Sequence, residues 1–339
     1  MGAKIPEKVR ETELSNLLSE RGLERANQGK VRDIYHVPER SDLLMLVVTD
    51  RLSIFDFVLN CLVLSKGEVL NAITIFWILK LNLRHNMLAH GFRIDQYLPL
   101  VLSEDVELQK RAVIIEDCKV WPVEFVYRYC LTGSAFRQYK ENGNVYGYEL
   151  PTGLCDGAEI PDGPIFTPTS KSETGHDLPL NPEDVEKDWL TENMLDIYKR
   201  ALAYARDKGI IIADTKLERA DSLLVDEIFT PDSSRFWDLS EWYQATANNR
   251  APNGYDKEPV RQWGMTVETP WGRGINKLDP ENEDHINFVH SVEVPEKVIS
   301  ATTDRYLEIF WRLIGMDLED FQKDVMGIHI HPSRTWTQF

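Results

Sequence analysis

A chain of 339 residues, 42% hydrophobic and 27% charged, is an ordinary globular sequence with core material for two domains or one large composite domain. Its formal net charge of -17 excludes a non-specific nucleic-acid binder, whose surface must neutralise phosphates, but allows small anionic substrates where Lys and Arg cluster locally. The four cysteines, Cys61, Cys118, Cys130 and Cys155, form no CxxC pair, the start has no signal-peptide pattern, and no apolar run reaches transmembrane length; a cytoplasmic protein with no membrane or nucleic-acid partner is expected.

In chain order, Leu14, Leu17 and Leu18 predict a short amphipathic helix over 11–21. Val31, Ile34, Tyr35 and Val37 predict a strand entered through Gly29, with Lys30 and Arg32 on one face. A glycine beside two cations lets backbone N–H groups and charged tips approach a phosphate; the same residues also suit a solvated strand start. Leu43–Thr49 is a buried strand. It runs into Asp50–Asp56, whose mixed polar and apolar residues, Ser53 and Asp56 among them, suit a site-forming loop. Lys66-Gly67 opens a long core-packed helix.

Val113–Ile115 and Val123–Tyr129 predict two strands joined by Glu116–Pro122, where Pro122 excludes a ladder donor. Arg128 ends the second strand and Leu131–Ser134 starts a helix with Ser134 as its cap; a helix start beside an arginine suits an anion, or is simply a capped helix. Residues 142–174 form a long Gly- and Pro-rich loop, a length that usually serves a purpose. Asn181-Pro182-Glu183-Asp184 predicts the start of a helix running to Lys208 and ended by Gly209.

Two apolar runs follow, 210–213 and 223–225, read as adjacent antiparallel strands around a polar break at Asp221-Ser222. Asp214, Lys216 and Glu218 share one face after the first; Asp226 and Glu227 follow the second. Carboxylates gathered near one lysine can hold a divalent metal on a nucleotide phosphate, or can be the solvated ends of a hairpin. Residues 243–264 read as polar loop, 266–287 as an exposed, Gly- and Pro-containing insertion, and Pro295–Ile314 as a last core helix. His329 and His331, two apart with no Cys or carboxylate close by, do not make a metal site.

The ordered series GKVRDIY, TDRLSIFDFV, PVEFVYRYCLTGS, IFTPTSKSETGHD, GIIIADTKLE and VDEIFTPDSSRFW closely resembles the SAICAR synthetase (phosphoribosylaminoimidazole-succinocarboxamide synthase) family of purine biosynthesis. The likeness runs over residues 25–320, poorly within 266–290. It implies an α+β fold: residues 1–118 as an N-terminal ATP-binding lobe on an antiparallel sheet, and 119–320 as a larger substrate- and metal-binding part. ATP lies between them, with 266–290 an exposed insertion and 321–339 a tail. The implied reaction joins L-aspartate to the carboxylate of carboxyaminoimidazole ribonucleotide (CAIR), using ATP with Mg2+. The carboxylate is first phosphorylated, and the aspartate amine then displaces phosphate, so positioning and charge neutralisation do most of the work.

Carried across by motif, the resemblance implies Gly29, Lys30 and Arg32 over the ATP phosphates and Glu116 and Cys118 beside adenine. Lys216, Glu218 and Asp226 become the catalytic set, with Glu218 and Asp226 on the metal. Arg128, Ser134, Asp214 and Arg235 fall around the ribonucleotide, with Ser53, Asp56, Lys171, His176, Asp177, Lys257 and Arg261 as further substrate-side residues. Three departures stand out: Arg219-Ala220 where the family usually has Phe-Gly, Leu178-Pro179 in the GHDEN motif, and Glu258-Pro259 after Asp256-Lys257. They bear on the amine acceptor more than on the ATP site. Alternatives are a divergent ligase with another amine, or a non-catalytic nucleotide-binding homologue. The exposed insertion is a place for a homo-oligomer contact.

Overall fold

The computed structural model describes residues 4–171, 178–186 and 188–329. Helices α1 (Glu7–Arg10) and α2 (Glu13–Glu20) open the chain, the second held by a reciprocal Thr12–Ser15 capping box. Strands β1 (Arg25–Gln28), β2 (Arg32–Val37) and β3 (Arg40–Val48) follow, then the hairpin β4 (Arg51–Ile54) and β5 (Phe57–Leu62). Helix α3 (Lys66–Leu81), β6 (Met87–His90), α4 (Val106–Arg111) and β7 (Ala112–Glu116) complete the first part. The sheet formed here is antiparallel, in the order β1-β2-β3-β7-β6.

A second sheet begins at β8 (Val123–Arg128), followed by α5 (Gly133–Asn142), the small hairpin β9 (Asn144–Val145) and β10 (Tyr148–Glu149), and the short strands β11 (Ile165–Phe166) and β12 (Thr169–Ser170). Helix α6 (Trp189–Asp207) leads into β13 (Ile210–Ala220), β14 (Leu223–Val225) and β15 (Ser234–Asp238). Helices α7 (Leu239–Ala247) and α8 (Glu258–Thr266), the hairpin β16 (Glu268–Thr269) and β17 (Gly272–Arg273), and helices α9 (Glu283–Ser291), α10 (Glu296–Ile314) and α11 (Leu318–Asp324) end the described chain. The order is β11-β8-β13-β14, with β12 also on β8 and β15 also on β13. The α+β expectation holds.

The three largest apolar clusters among the described residues hold these layers. The largest spans both sheets: Val48 and Val113 of the first, Phe125, Ile212 and Leu217 of the second, and α3, α6 and α10 packed between and around them. Burying each such Ile, Leu or Phe contributes about 1.5–3 kcal/mol. A second cluster lies on the first sheet around Tyr35, Met45 and Ile114, and a third joins β4–β5 to α8 and α9. No helix among the described residues is long and apolar enough to cross a membrane, and all four cysteines are free.

Several sequence expectations change. The run 210–213 does not pair with 223–225; it pairs with β15, and the same strand continues to Ala220, where Glu218–Ala220 pair with Leu223–Val225. Asp50–Asp56 is mostly strand, with the turn confined to Phe55 and Asp56 in left-handed conformation. Asn181-Pro182 makes a turn, because the Asn181 side chain accepts from the Glu183 amide locally. The helix starts at Trp189, where Asp188 accepts from the Thr191 amide. Thr132, not Ser134, is the N-cap of α5. Residues 243–264 include the end of α7 and most of α8, a helix whose polar surface leaves little periodic signal. Much of 266–290 is exposed, as expected, but Ile275, Leu278, Ile286 and Val289 are buried against β5, so this stretch packs onto the fold through an apolar face and is not a loose insertion. Part of the 321–339 tail is also built in, through Phe321, Met326 and Ile328. His331 lies outside the described residues.

Candidate functional site

β13 organises the site. It is buried almost throughout, between β8 and β15, and from Asp214 onward strand geometry sends successive side chains to opposite faces. Thr215 and Leu217 turn to the packed side, whereas Asp214, Lys216 and Glu218 share the other. Three charges in a row on a buried strand need partners, and each is paired with an opposite charge from a neighbouring segment. Asp214 is held by Arg128 of β8 at 2.7 Å and by Arg235 of β15. Lys216 meets Glu124 of β8 at 2.5 Å. Glu218 meets Lys171, just past β12.

A polar cleft of ≈ 170 Å³ opens over the first of these pairs, lined by Arg128, Ser134, Asp214, Lys216, Arg235 and Arg261 together with Asp232 and Asp256. Arg128 is fixed on three sides: Nε donates to Thr167 at 2.9 Å, Nη1 to Asp214, and Nη2 to Ser134 Oγ at 3.3 Å. Arg261 forms an ion pair with Asp256 at 3.0 Å. Burial works against the Lys216 ammonium, but Glu124 and Glu218 outweigh it and hold its pKa above the ordinary lysine value. A cleft with several fixed cations suits a substrate carrying phosphate and carboxylate.

A second, apolar slot lies across the first sheet, lined by Leu46, Val48, Leu70, Met87, Val113 and Ile115, with Arg32, His85, Asp226 and Glu227 at its edge. Arg32 bridges Asp226 at 2.7 Å and Glu227 at 2.8 Å. Asp226 adopts a left-handed φ of 63°, and its carbonyl is gripped at 3.0 Å by His85 Nε2, while His85 Nδ1 accepts from the Met87 amide. Burial pushes the His85 imidazole down to about 4, consistent with this neutral tautomer.

The remaining predicted residues distribute around these two places. Gly29 and Lys30 form the β1–β2 turn, and Lys30 reaches Asp56 at the β4–β5 tip, 2.8 Å away. Glu116 ends β7 beside the slot, but Asn86 takes its amide and its carbonyl; Cys118 is two residues on. Lys257 lies beside the cleft, 3.9 Å from Asp232, and burial pulls its pKa down. Ser53 sits within β4 and lines neither cavity. His176 and Asp177 lie outside the described residues.

Sequence reasoning missed several participants. Asp232 binds Lys66 at 2.8 Å and the Tyr306 hydroxyl at 2.5 Å. Arg51, fully buried against Asp33, also donates to the carbonyls of Gly29 and Lys30, fixing that turn. The signal for Glu124 was its place in an otherwise apolar strand. For Asp232 it was the PDSSR turn, read only through Arg235.

Glu218 and Asp226 are brought to one end of the β13–β14 hairpin by the Glu218–Val225 pairing. Among the described residues no three ligating side chains converge. Two carboxylates nevertheless suit Mg2+ on a nucleotide, because phosphate oxygens and water complete its coordination.

The SAICAR synthetase family model matches residues 25–278. The chain belongs to the SAICAR synthetase family. It is 39% identical over 306 residues to the phosphoribosylaminoimidazole-succinocarboxamide synthase of Streptomyces avermitilis, covering 87% of this chain and 94% of that one. It is 34% identical over 302 residues to the synthase of Schizosaccharomyces pombe, covering 85% and 93%. Among solved structures, the Saccharomyces cerevisiae SAICAR synthase complexed with SAICAR aligns with a TM-score of 0.70 at 30% identity, covering 91% of this chain and 99% of that one. As a SAICAR synthetase the chain is a carbon–nitrogen ligase of purine biosynthesis: it joins L-aspartate to CAIR at the expense of ATP.

Proposed function

We propose that the cleft around Asp214 takes CAIR, the apolar slot takes the adenine of ATP, and the end of the β13–β14 hairpin lies where the phosphates meet the CAIR carboxylate. The observation that carries this is the single face of β13. It presents Asp214 with its two arginines, then Lys216, then Glu218, a line from anion-binding cations to metal carboxylates. The yeast relative complexed with SAICAR supports a purine-precursor ligand in such a fold.

In this reading Arg128 and Arg235 grip the ribonucleotide's phosphate or carboxylate, with Ser134 as a further donor. The Gly29–Lys30 turn covers the ATP phosphates. Adenine packs between Leu46, Val113 and Met87, with the connector at Cys118 at its edge, since Asn86 already takes the Glu116 backbone. The Lys216 ammonium stays charged at neutral pH and offsets charge on the transferring phosphoryl group. Glu218 and Asp226 would hold Mg2+, which neutralises charge on the ATP phosphates when bound.

The γ-phosphoryl passes to a carboxylate oxygen of CAIR, releasing ADP. The aspartate amine then forms the C–N bond, the C–O bond to phosphate breaks, and the amine loses its proton. Lys171, with Lys257 and Arg261 beside the cleft, would orient aspartate by its carboxylates. The enzyme works in the cytoplasm.

The test is ADP release with ATP, Mg2+ and CAIR, with and without L-aspartate, products identified by mass. Wild type should give aspartate-dependent SAICAR, and Glu218→Ala should give none. Turnover in Glu218→Ala equal to wild type would remove the metal assignment.

A further inference from the structure

Behind the reaction face of β13 sits a residue that neither cavity contains. Arg219 is 1% exposed, next to Glu218 in sequence and turned to the opposite side of the strand. Its guanidinium forks onto Asp188, with Nη1 and Nη2 each 2.5 Å from a carboxylate oxygen, and donates to Thr191 Oγ1 at 2.8 Å. It also donates to the Asp221 carbonyl in the β13–β14 turn and lies 3.9 Å from the centroid of the Trp121 ring. Asp188 is the N-cap of α6, and the fork holds its carboxyl well below the usual carboxylate range.

The backbone contacts close a ring. The Trp121 amide donates to the Arg219 carbonyl at 2.9 Å, and the Lys171 amide donates to the Pro122 carbonyl at 3.0 Å. The Lys171 side chain returns to Glu218, whose next residue is Arg219. The connector between the two sheets, the segment after β12 and the hairpin carrying Glu218 are thus tied together at one point. Arg219 anchors that point from behind through Asp188 and Trp121.

We propose that Arg219 is a positioning residue that holds the connector at Trp121 in register with Glu218, and so sets the nucleotide side of the site without touching a substrate. This rests on the placement of adenine and the metal carboxylates proposed above. The ribonucleotide side is anchored separately, earlier along β13, by Arg128, Asp214 and Arg235. Loss of Arg219 should therefore divide the two substrates.

Arg219→Met keeps an unbranched apolar stem but removes the fork. The dissociation constant for ADP with Mg2+, read by calorimetry, should rise about 10-fold, as for other supports of ligating groups, and kcat should fall. The KM for CAIR should stay at the wild-type value. Arg219→Lys, which keeps the charge without the fork, should fall between. Should Arg219→Met fail to fold, Asp188→Asn serves instead: its amide oxygen still caps α6, and the same split should appear in weaker form.

Wild-type ADP affinity in both Arg219→Met and Asp188→Asn would overturn the proposal. So would a loss in which ADP affinity falls and the KM for CAIR rises together, in step with a loss of native structure by circular dichroism. Glu218→Gln separates the two readings. If it loses the wild-type magnesium dependence while the Arg219 variants bind ADP normally, only the positioning role fails. If it retains that dependence, the placement fails and the positioning role with it.

Discussion

Gly133 shows how much of the site depends on an atom that is absent. It has a φ of +60°, and a Cβ there would come within 2.6 Å of Arg235 Nη2 and 3.0 Å of its Cζ. The guanidinium occupies that space while paired with Asp214. Gly133→Ala should cost about 1–2 kcal/mol in backbone strain. It should also push Arg235 off its carboxylate. A hydrogen bond between charged groups is worth about 1.5–3 kcal/mol, so the KM for CAIR should rise about 10-fold or more. ADP affinity should not change, since the slot lies on the other sheet. Steady-state kinetics with calorimetry decide it; an unchanged KM would mean that Arg235 does not hold CAIR. The family resemblance implied that Arg128, Ser134, Asp214 and Arg235 surround one ligand. It could not show that Gly133 makes room for one of them, because that space exists only once β8 and β15 flank the same strand.

At the scale of elements, what was legible followed from apolar periodicity. The helix from Pro295 was visible because it buries a regular face, and the helix from Lys66 because its apolar residues recur at three and four although it is buried on nearly every side. The strand at 43–49 was visible as a continuous apolar run. The start of α6 was misread because Asn181-Pro182 satisfies its own backbone in a turn, a local solution that competes with helix initiation. Helix α8 was missed because it buries little beyond Val260 and Gly264. The partners of β13 were misassigned for a different reason: adjacency along the chain favours β14, but the long-range partners β8 and β15 flank most of the strand. Element β6 carries a prediction of its own. It ends at His90, paired with Val113, and burial, with the charge of Arg93, pushes this imidazole down from 6.5 to about 4. A depressed folded pKa means that the unfolded chain takes the proton first. Stability is therefore complete above about 6.5 and declines as pH falls toward about 4, by about 2–3 kcal/mol at pH near 4.5. His90→Phe keeps a ring and removes the titration. It should reduce the stability difference between neutral and mildly acidic pH by about that amount, read by urea unfolding at both pH values. His85, shifted the same way, keeps the remaining slope from vanishing. An identical slope in wild type and variant would show that His90 titrates normally in the fold.

At the scale of the whole molecule, the first part of the chain is joined to the second by a buried charge pair. Lys66 is fully buried at the first turn of α3, where the helix dipole disfavours a cation. What keeps it there is Asp232, 2.8 Å away in the turn between β14 and β15. Burial alone would raise the Asp232 pKa, but Lys257 and Lys66 outweigh it and hold the carboxyl far below its usual range. The Tyr306 hydroxyl of α10 completes the cluster. Asp232 lines the cleft, so the contact that joins the two parts also shapes the substrate site. Lys66→Met would leave the carboxylate with Tyr306 and a lysine 3.9 Å away, and Asp232→Asn would leave a buried ammonium facing an amide. Each should lose about 3–5 kcal/mol in urea unfolding, the cost of orphaning one half of a buried pair. The double variant should lose clearly less than the sum, because neither charge then remains unpaired. Additive losses would mean that the two residues stabilise the molecule independently, and that the pair does not join its two parts.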